Sequence, residues 1–307
     1  MSASASISER RGGDWAVYAA VVLACVFLWW LSATRPTLMP VFGPWEFSPA
    51  IFISLALTLF WFLRGDAAMP AAERLPLWRR IAFLAGLALL YAVLQTRVEY
   101  WAQHMFFINR LQHVAMHHVG PVLIALGFSG ATLARGMPSW IPRLAETRPV
   151  ALLLAVLQQP VIAVVLFEGL FAFWLLPNVH FRAMIDPRIY ALMNWSMVLD
   201  GILFWALVLD PRPTPAARIG YGFRAALAIG VMFPQIVLGA LITFAGFDLY
   251  PYYDLCGRLF PSMSALADQE VGGIVIWIPP AMMSVIAMLL VLNAYRLNEK
   301  RKGIPHG

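Results

Sequence analysis

The chain has 307 residues, of which 61% are hydrophobic and only 12% charged, and it carries a net charge of +6 at neutral pH. That apolar share excludes an ordinary water-soluble domain and reads as a multi-pass membrane protein. The basic excess lies in short segments between apolar runs, so membrane topology accounts for it and no nucleic-acid partner is expected.

Residues 1–14 read as a cytoplasmic tail, disordered and carrying Arg10 and Arg11. Apolar runs of bilayer-crossing length follow at about 15–33, 47–64, 78–98, 104–128, 149–176, 190–209, 221–246 and 271–296. The first has no small-residue cleavage site after it and is read as a retained span. Pro160, Pro234, Pro279 and Pro280 are expected to kink their spans. Residues 15–298 thus form one transmembrane domain, and 299–307 a basic tail. The fold class is all-α: a polytopic bundle of about eight transmembrane helices, since open strands cannot satisfy their backbone in hydrocarbon. Cys25 and Cys256 form no CxxC pair, so neither a redox motif nor a disulfide framework is expected.

Orientation follows from the loops. Arg64, Arg74, Arg79 and Arg80, then Arg135, Arg143 and Arg148, then Arg212, Arg218 and Arg224, then Arg296, Lys300, Arg301 and Lys302 fall on one side with the N-terminal tail. Fewer basic residues alternate with them: Arg35, Arg97, Arg182, Arg188 and Arg258. The positive-inside rule then places both termini in the cytoplasm.

The fourth span runs inward through Asn109-Arg110-Leu111-Gln112-His113 and on to His117 and His118, placing these polar groups in the outer half of the membrane. On a regular helix Asn109, His113 and His117 share one face, whereas His118 points about 140° from His113. Imidazoles four residues apart can meet one metal ion, and a buried arginine beside them needs a partner. The alternative is that they hydrogen-bond neighbouring helices as interhelical glue. Glu168 and Asp200 are membrane-embedded carboxylates suited to relaying protons, assisting ligation or pairing with Arg110. Met193 and Met197 stand one turn apart in the sixth span, and thioether with imidazole suits cuprous copper; singly, each methionine reads as a gap-filler. Serine-nucleophile motifs, phosphate loops and zinc-finger spacings are absent, so the chain is not read as an enzyme and no catalytic residue is assigned.

Five stretches, in order, resemble the CtaG family of cytochrome c oxidase assembly factors. They are LQHVAMHHVGPVLIALG in the fourth span, FWLLPNV and GILFWALVLDP in the fifth and sixth, LYPYY after the seventh, and DQEVGGIVIWIPPAMM opening the eighth. The likeness covers about residues 101–294. It implies an assembly factor of the inner (cytoplasmic) membrane for a heme-copper oxidase. Such a factor would bind copper in an outward-facing intramembrane site and deliver it to the oxidase catalytic subunit. A periplasmic copper donor is a further candidate partner, and the lipid bilayer is the surroundings. Where the family shows a first histidine in the fourth span this chain has Asn109; the second falls on His113. A later pair falls on Tyr190 and Asn194, and the family's Trp-His-Leu-Pro reads Trp174-Leu175-Leu176-Pro177. The expected ligands are therefore His113, His117, His118, His180 and Met197, with Asn109, Arg110, Glu168, Asp200, Asp268 and Gln269 behind them. Two other readings stand: a heme-binding redox protein with axial histidines, and a metal-free scaffold subunit.

Overall fold

A computed structural model describes the backbone from Ser2 to Gly303 and the side chains from Asp14 onward. The earlier side chains of the expected N-terminal tail, and residues 304–307 of the C-terminal one, lie outside the described residues. Among the described residues every regular element is helical. In chain order these are α1 (Ser2–Thr34), α2 (Pro49–Ala68), α3 (Leu77–Gln95), α4 (Arg97–His104) and α5 (Phe106–Val114). A π turn (Ala115–Val119) joins α5 to α6 (Gly120–Gly127), followed by α7 (Gly130–Gly136), α8 (Trp140–Ala145), α9 (Arg148–Leu157) and α10 (Pro160–Leu175). The remainder are α11 (Pro177–Ile185), α12 (Pro187–Val208), α13 (Tyr221–Gly230), α14 (Met232–Thr243), α15 (Tyr252–Cys256) and α16 (Ala265–Lys302).

Local chemistry sets several of these boundaries. Ser48, Asp186 and Ser264 accept backbone N–H bonds at the starts of α2, α12 and α16. Pro49 and Pro187 follow as first helical residues, where a missing N–H costs nothing.

Among the described residues six helices are long and apolar enough to cross a bilayer, and taking each of two bent pairs as one span gives eight. The protein is an all-α, multi-pass membrane bundle. The pairs depart from the expected straight runs. After residues 106–127 the chain turns by 81° into α7, and α9 meets α10 at 70°. The second break follows from Gln158-Gln159-Pro160: Gln159 caps α10 through its side chain and Pro160 begins it, so α9 has no bonded continuation. By contrast, Pro279 and Pro280 lie inside an unbroken α16.

Small residues let helices approach. A Cβ on Gly65 would stand 1.8 Å from the carbonyl oxygen of Thr132, and one on Gly136 the same distance from that of Trp61, so α2 and α7 touch backbone to backbone. The basic loops gather at one end of the bundle. There Arg80 pairs with Asp66 at 2.8 Å, Arg79 donates to the Leu126 carbonyl at 2.7 Å, and buried Arg224 donates to the carbonyls of Ile219, Asp210 and Arg212. The outward apolar side chains, such as Leu152, Val165, Val237 and Leu289, suit hydrocarbon.

Candidate functional site

The geometry of the fourth span is fixed at its outer end. Met105 is extended, so α5 starts with free N–H groups. Asp268, in the first turn of α16, accepts them: Oδ2 from Phe106 at 3.0 Å and Oδ1 from Phe107 at 2.8 Å. Arg258 donates to the same carboxylate. Gln269 accepts from the Leu249 N–H at 2.7 Å and donates to the carbonyls of Ile242 and Phe247. Both residues were expected behind the metal ligands; both instead shape the rim that holds α5, and neither bonds a histidine.

Lower down, Pro121 has no N–H for the carbonyl four residues earlier, that of His117. The backbone widens just before it, with the Gly120 N–H bonding the Ala115 carbonyl, and such π bulges recur at functional sites. The widening departs from the regular helix on which the stripe was read. His118 is as fully buried as His117, with ring centroids 4.8 Å apart.

The expected site residues fall into two tiers. The outer tier holds Asn109, Arg110, His113 and His180, joined by Tyr250 and Tyr253. Arg110 donates to Asn109, and its guanidinium lies 5.1 Å from the Phe106 ring centroid, which itself stacks on Tyr250 at 4.1 Å. Arg110 therefore pairs with neither Glu168 nor Asp200, one of the expectations for those carboxylates; an amide and an aromatic face receive it instead. Asn109 reaches the Met184 sulfur at 3.9 Å. His180 Nε2 lies 3.0 Å from the Tyr253 hydroxyl. His113 is 1% exposed, and neither ring nitrogen has a hydrogen-bond partner.

The inner tier lies one turn deeper, roughly 6 Å along the helix axis. His117 Nε2 is 3.4 Å from Asp200 Oδ2, and its ring stacks on Phe167 at 4.1 Å. His118 Nε2 is 3.3 Å from Gln235 Oε1, and Gln235 donates to Glu168 at 2.7 Å. Gln235 spends its N–H on Glu168, so its oxygen is the atom that faces His118. With Nε2 of the two rings engaged by Asp200 and Gln235, the Nδ1 atoms of both are buried without a partner. A carboxylate or amide behind one ring nitrogen is the arrangement that prepares the other for a metal.

Met197 is buried in the apolar core with Met116, Met184 and Met193. Among the described residues no three His, Cys, Asp or Glu side chains stand close enough to enclose one ion. Three participants, Gln235, Tyr250 and Tyr253, escaped the sequence reading. Gln235 is an isolated amide in the apolar run Met232-Phe233-Pro234-Gln235-Ile236, a signal in hindsight. Tyr250 and Tyr253 belong to LYPYY, quoted for its likeness but not for a role.

A profile of the family described as cytochrome c oxidase caa3 assembly factor (Caa3_CtaG) matches residues 57–296. The match begins inside α2, well ahead of the expected start near residue 101. An uncharacterized protein of Mycobacterium bovis is 25% identical over 303 residues, covering 90% of this chain and 43% of that protein. One from Mycobacterium leprae is 23% identical over 305 residues, covering 91% and 43%. The chain thus spans less than half the length of the curated relatives it matches. No solved structure matches it.

Proposed function

The chain belongs to the cytochrome c oxidase caa3 assembly factor family, and on that premise we propose that it takes a cuprous ion into its buried imidazoles and passes it to the oxidase catalytic subunit. The setting is the cytoplasmic membrane, with the outer tier opening toward the extracytoplasmic face and a periplasmic copper donor loading it. The observation that carries this reading is His113: an imidazole with both nitrogens buried and unbonded, in a place where an unpaired polar group is costly. A cuprous ion accepts as few as two nitrogen or sulfur donors. His180 and the Met184 sulfur stand in the same tier to complete its shell, and His117 and His118 offer bare Nδ1 atoms one turn further in. Two tiers suit a carrier better than a single closed cage, because each station holds the ion incompletely.

A second reading has its own support. The bonds of His117 with Asp200 and of His118 with Gln235 also tie α10, α12 and α14 to the fourth span, as a metal-free scaffold would require. Heme fits less well, since a porphyrin needs open space beyond the ligating nitrogen, and His117 and His118 are packed among Phe167, Phe171 and Trp205. The test is co-expression with a heme-copper oxidase in cells lacking their own factor. With equal protein levels, His113→Ala should leave the oxidase assembled but poor in copper. Full oxidase activity with the double change His113→Ala, His117→Ala would refute copper handling and leave the scaffold.

A further inference from the structure

At the arginine-rich end, away from the histidines, a chamber of about 640 Å³ opens between the ends of α3, α6, α9 and α12 and the loop before α13. Arg79, Arg212 and Arg218 line it against a single carboxylate, Asp210, with Ser129 and Gln158 as neutral polar neighbours. Each arginine is anchored and only partly spent. Arg79 uses Nε and Nη2 on the carbonyls of Leu126 and Phe128, Arg212 uses Nε and Nη2 on Asp210, and Arg218 uses Nη1 on the Ala155 carbonyl. The remaining guanidinium N–H groups are uncommitted, and converging guanidinium donors are suited to phosphate oxygens.

A second cleft, of about 160 Å³, shares Arg79, Asp210 and Pro211 with this chamber. Beyond those three its walls are mainly apolar: Trp78, Leu126, Leu290, Ala294 and Leu297 among them. Leu290 to Leu297 spans about 10 Å of α16, so the cleft extends from the polar chamber toward the bundle's middle. A polar, cationic chamber joined to an apolar slot has the shape of an amphiphile, and basic pockets between helices at this face of a membrane recognise anionic lipid headgroups.

We propose that the paired cavities bind an anionic phospholipid, its phosphate among Arg79, Arg212 and Arg218 and one acyl chain along α16. The site is independent of copper handling. A free phosphate would satisfy the chamber but leave the adjoining slot without an occupant, which favours the lipid.

The test is native mass spectrometry of the delipidated full chain in detergent. It is titrated with phosphatidylglycerol, with phosphatidylcholine of the same acyl chains, and with inorganic phosphate. Phosphatidylglycerol should bind about tenfold or more tightly than phosphatidylcholine, and the double variant Arg212→Gln, Arg218→Gln should lose about the same factor. Ala294→Trp, which fills the slot without altering charge, should also weaken the lipid. The double variant Arg301→Gln, Lys302→Gln, which removes equal charge from the tail, should leave binding unchanged. Equal affinity for the two lipids, or lipid binding indifferent to both the arginine pair and Ala294→Trp, would overturn the proposal. Inorganic phosphate competing as tightly as the lipid would overturn the lipid as occupant.

Discussion

Replacing Gly201 by alanine would place a methyl group 2.5 Å from the carbonyl oxygen of His117 and 3.0 Å from a ring carbon of Pro121. His117 belongs to the π turn, and Pro121 lies in the first turn of α6 directly after it. Backbone cannot rotate aside as a side chain can, so α12 must retreat by about 1 Å to restore an ordinary van der Waals separation. Asp200 is the preceding residue on α12, and its oxygen is already 3.4 Å from His117 Nε2, at the edge of hydrogen bonding. The retreat therefore costs overpacking strain of roughly 1–3 kcal/mol and removes a buried partner worth about 1 kcal/mol or more. Against this, alanine gains about 0.5–1 kcal/mol over glycine inside a helix. A net loss of roughly 1–3 kcal/mol is expected from these terms. Gly169→Ala is the matched control, since a Cβ there meets nothing within 4 Å, and it should be neutral or slightly stabilising. Thermal unfolding of the detergent-purified variants, followed by tryptophan fluorescence, separates the two. If Gly201→Ala melts with Gly169→Ala, α12 does not press on the π turn and the inner tier is not arranged as described.

Asp268→Ala should uncap α5 and leave Arg258 with Asp254 alone, costing about 2–4 kcal/mol; limited proteolysis should then cut between α4 and α5, where the wild type resists. Gln235→Leu leaves His118 and Glu168 without their shared partner, an expected loss of about 1–3 kcal/mol, measured by the same melting assay. Burial pushes the Asp210 carboxyl up, but its hydrogen bonds and charge contacts with Arg212, together with the charge of Arg224, outweigh burial and hold it below its ordinary value. That stability is complete above the unfolded carboxylate value of about 3.9 and is lost as pH falls through the lower folded value. Asp210→Asn should therefore melt below the wild type at pH 7, with the difference vanishing under strongly acidic conditions.

The spans were legible because hydrocarbon imposes helix on any long apolar run, whatever its packing. What composition could not reveal was continuity. The run at 149–176 looked like a single helix with a kink at Pro160, yet Gln158 and Gln159 let the chain stop and turn there. Pro279 and Pro280 looked equally disruptive and leave α16 whole. At the site, the histidines were visible as polarity in an apolar stretch, but their directions were read from a regular helix. A π turn just before Pro121 interrupts that helix, and His117 and His118 are both fully buried. The partner of Arg110 was sought among carboxylates because charge invites charge; the fold supplies Asn109 and the face of Phe106. Gln235, Tyr250 and Tyr253 were missed since a lone amide or hydroxyl acquires meaning only when the group it meets, on another helix, is known.

The central claim is that unpaired buried imidazoles in the fourth span take up copper. It is tested most directly by loading the detergent-purified full chain with cuprous ion under reducing, anaerobic conditions, desalting it, and measuring copper per chain for wild type and His113→Ala. The wild type should retain copper and the variant little or none, with both equally folded by thermal unfolding. Copper retained equally by both, or by neither, would contradict it.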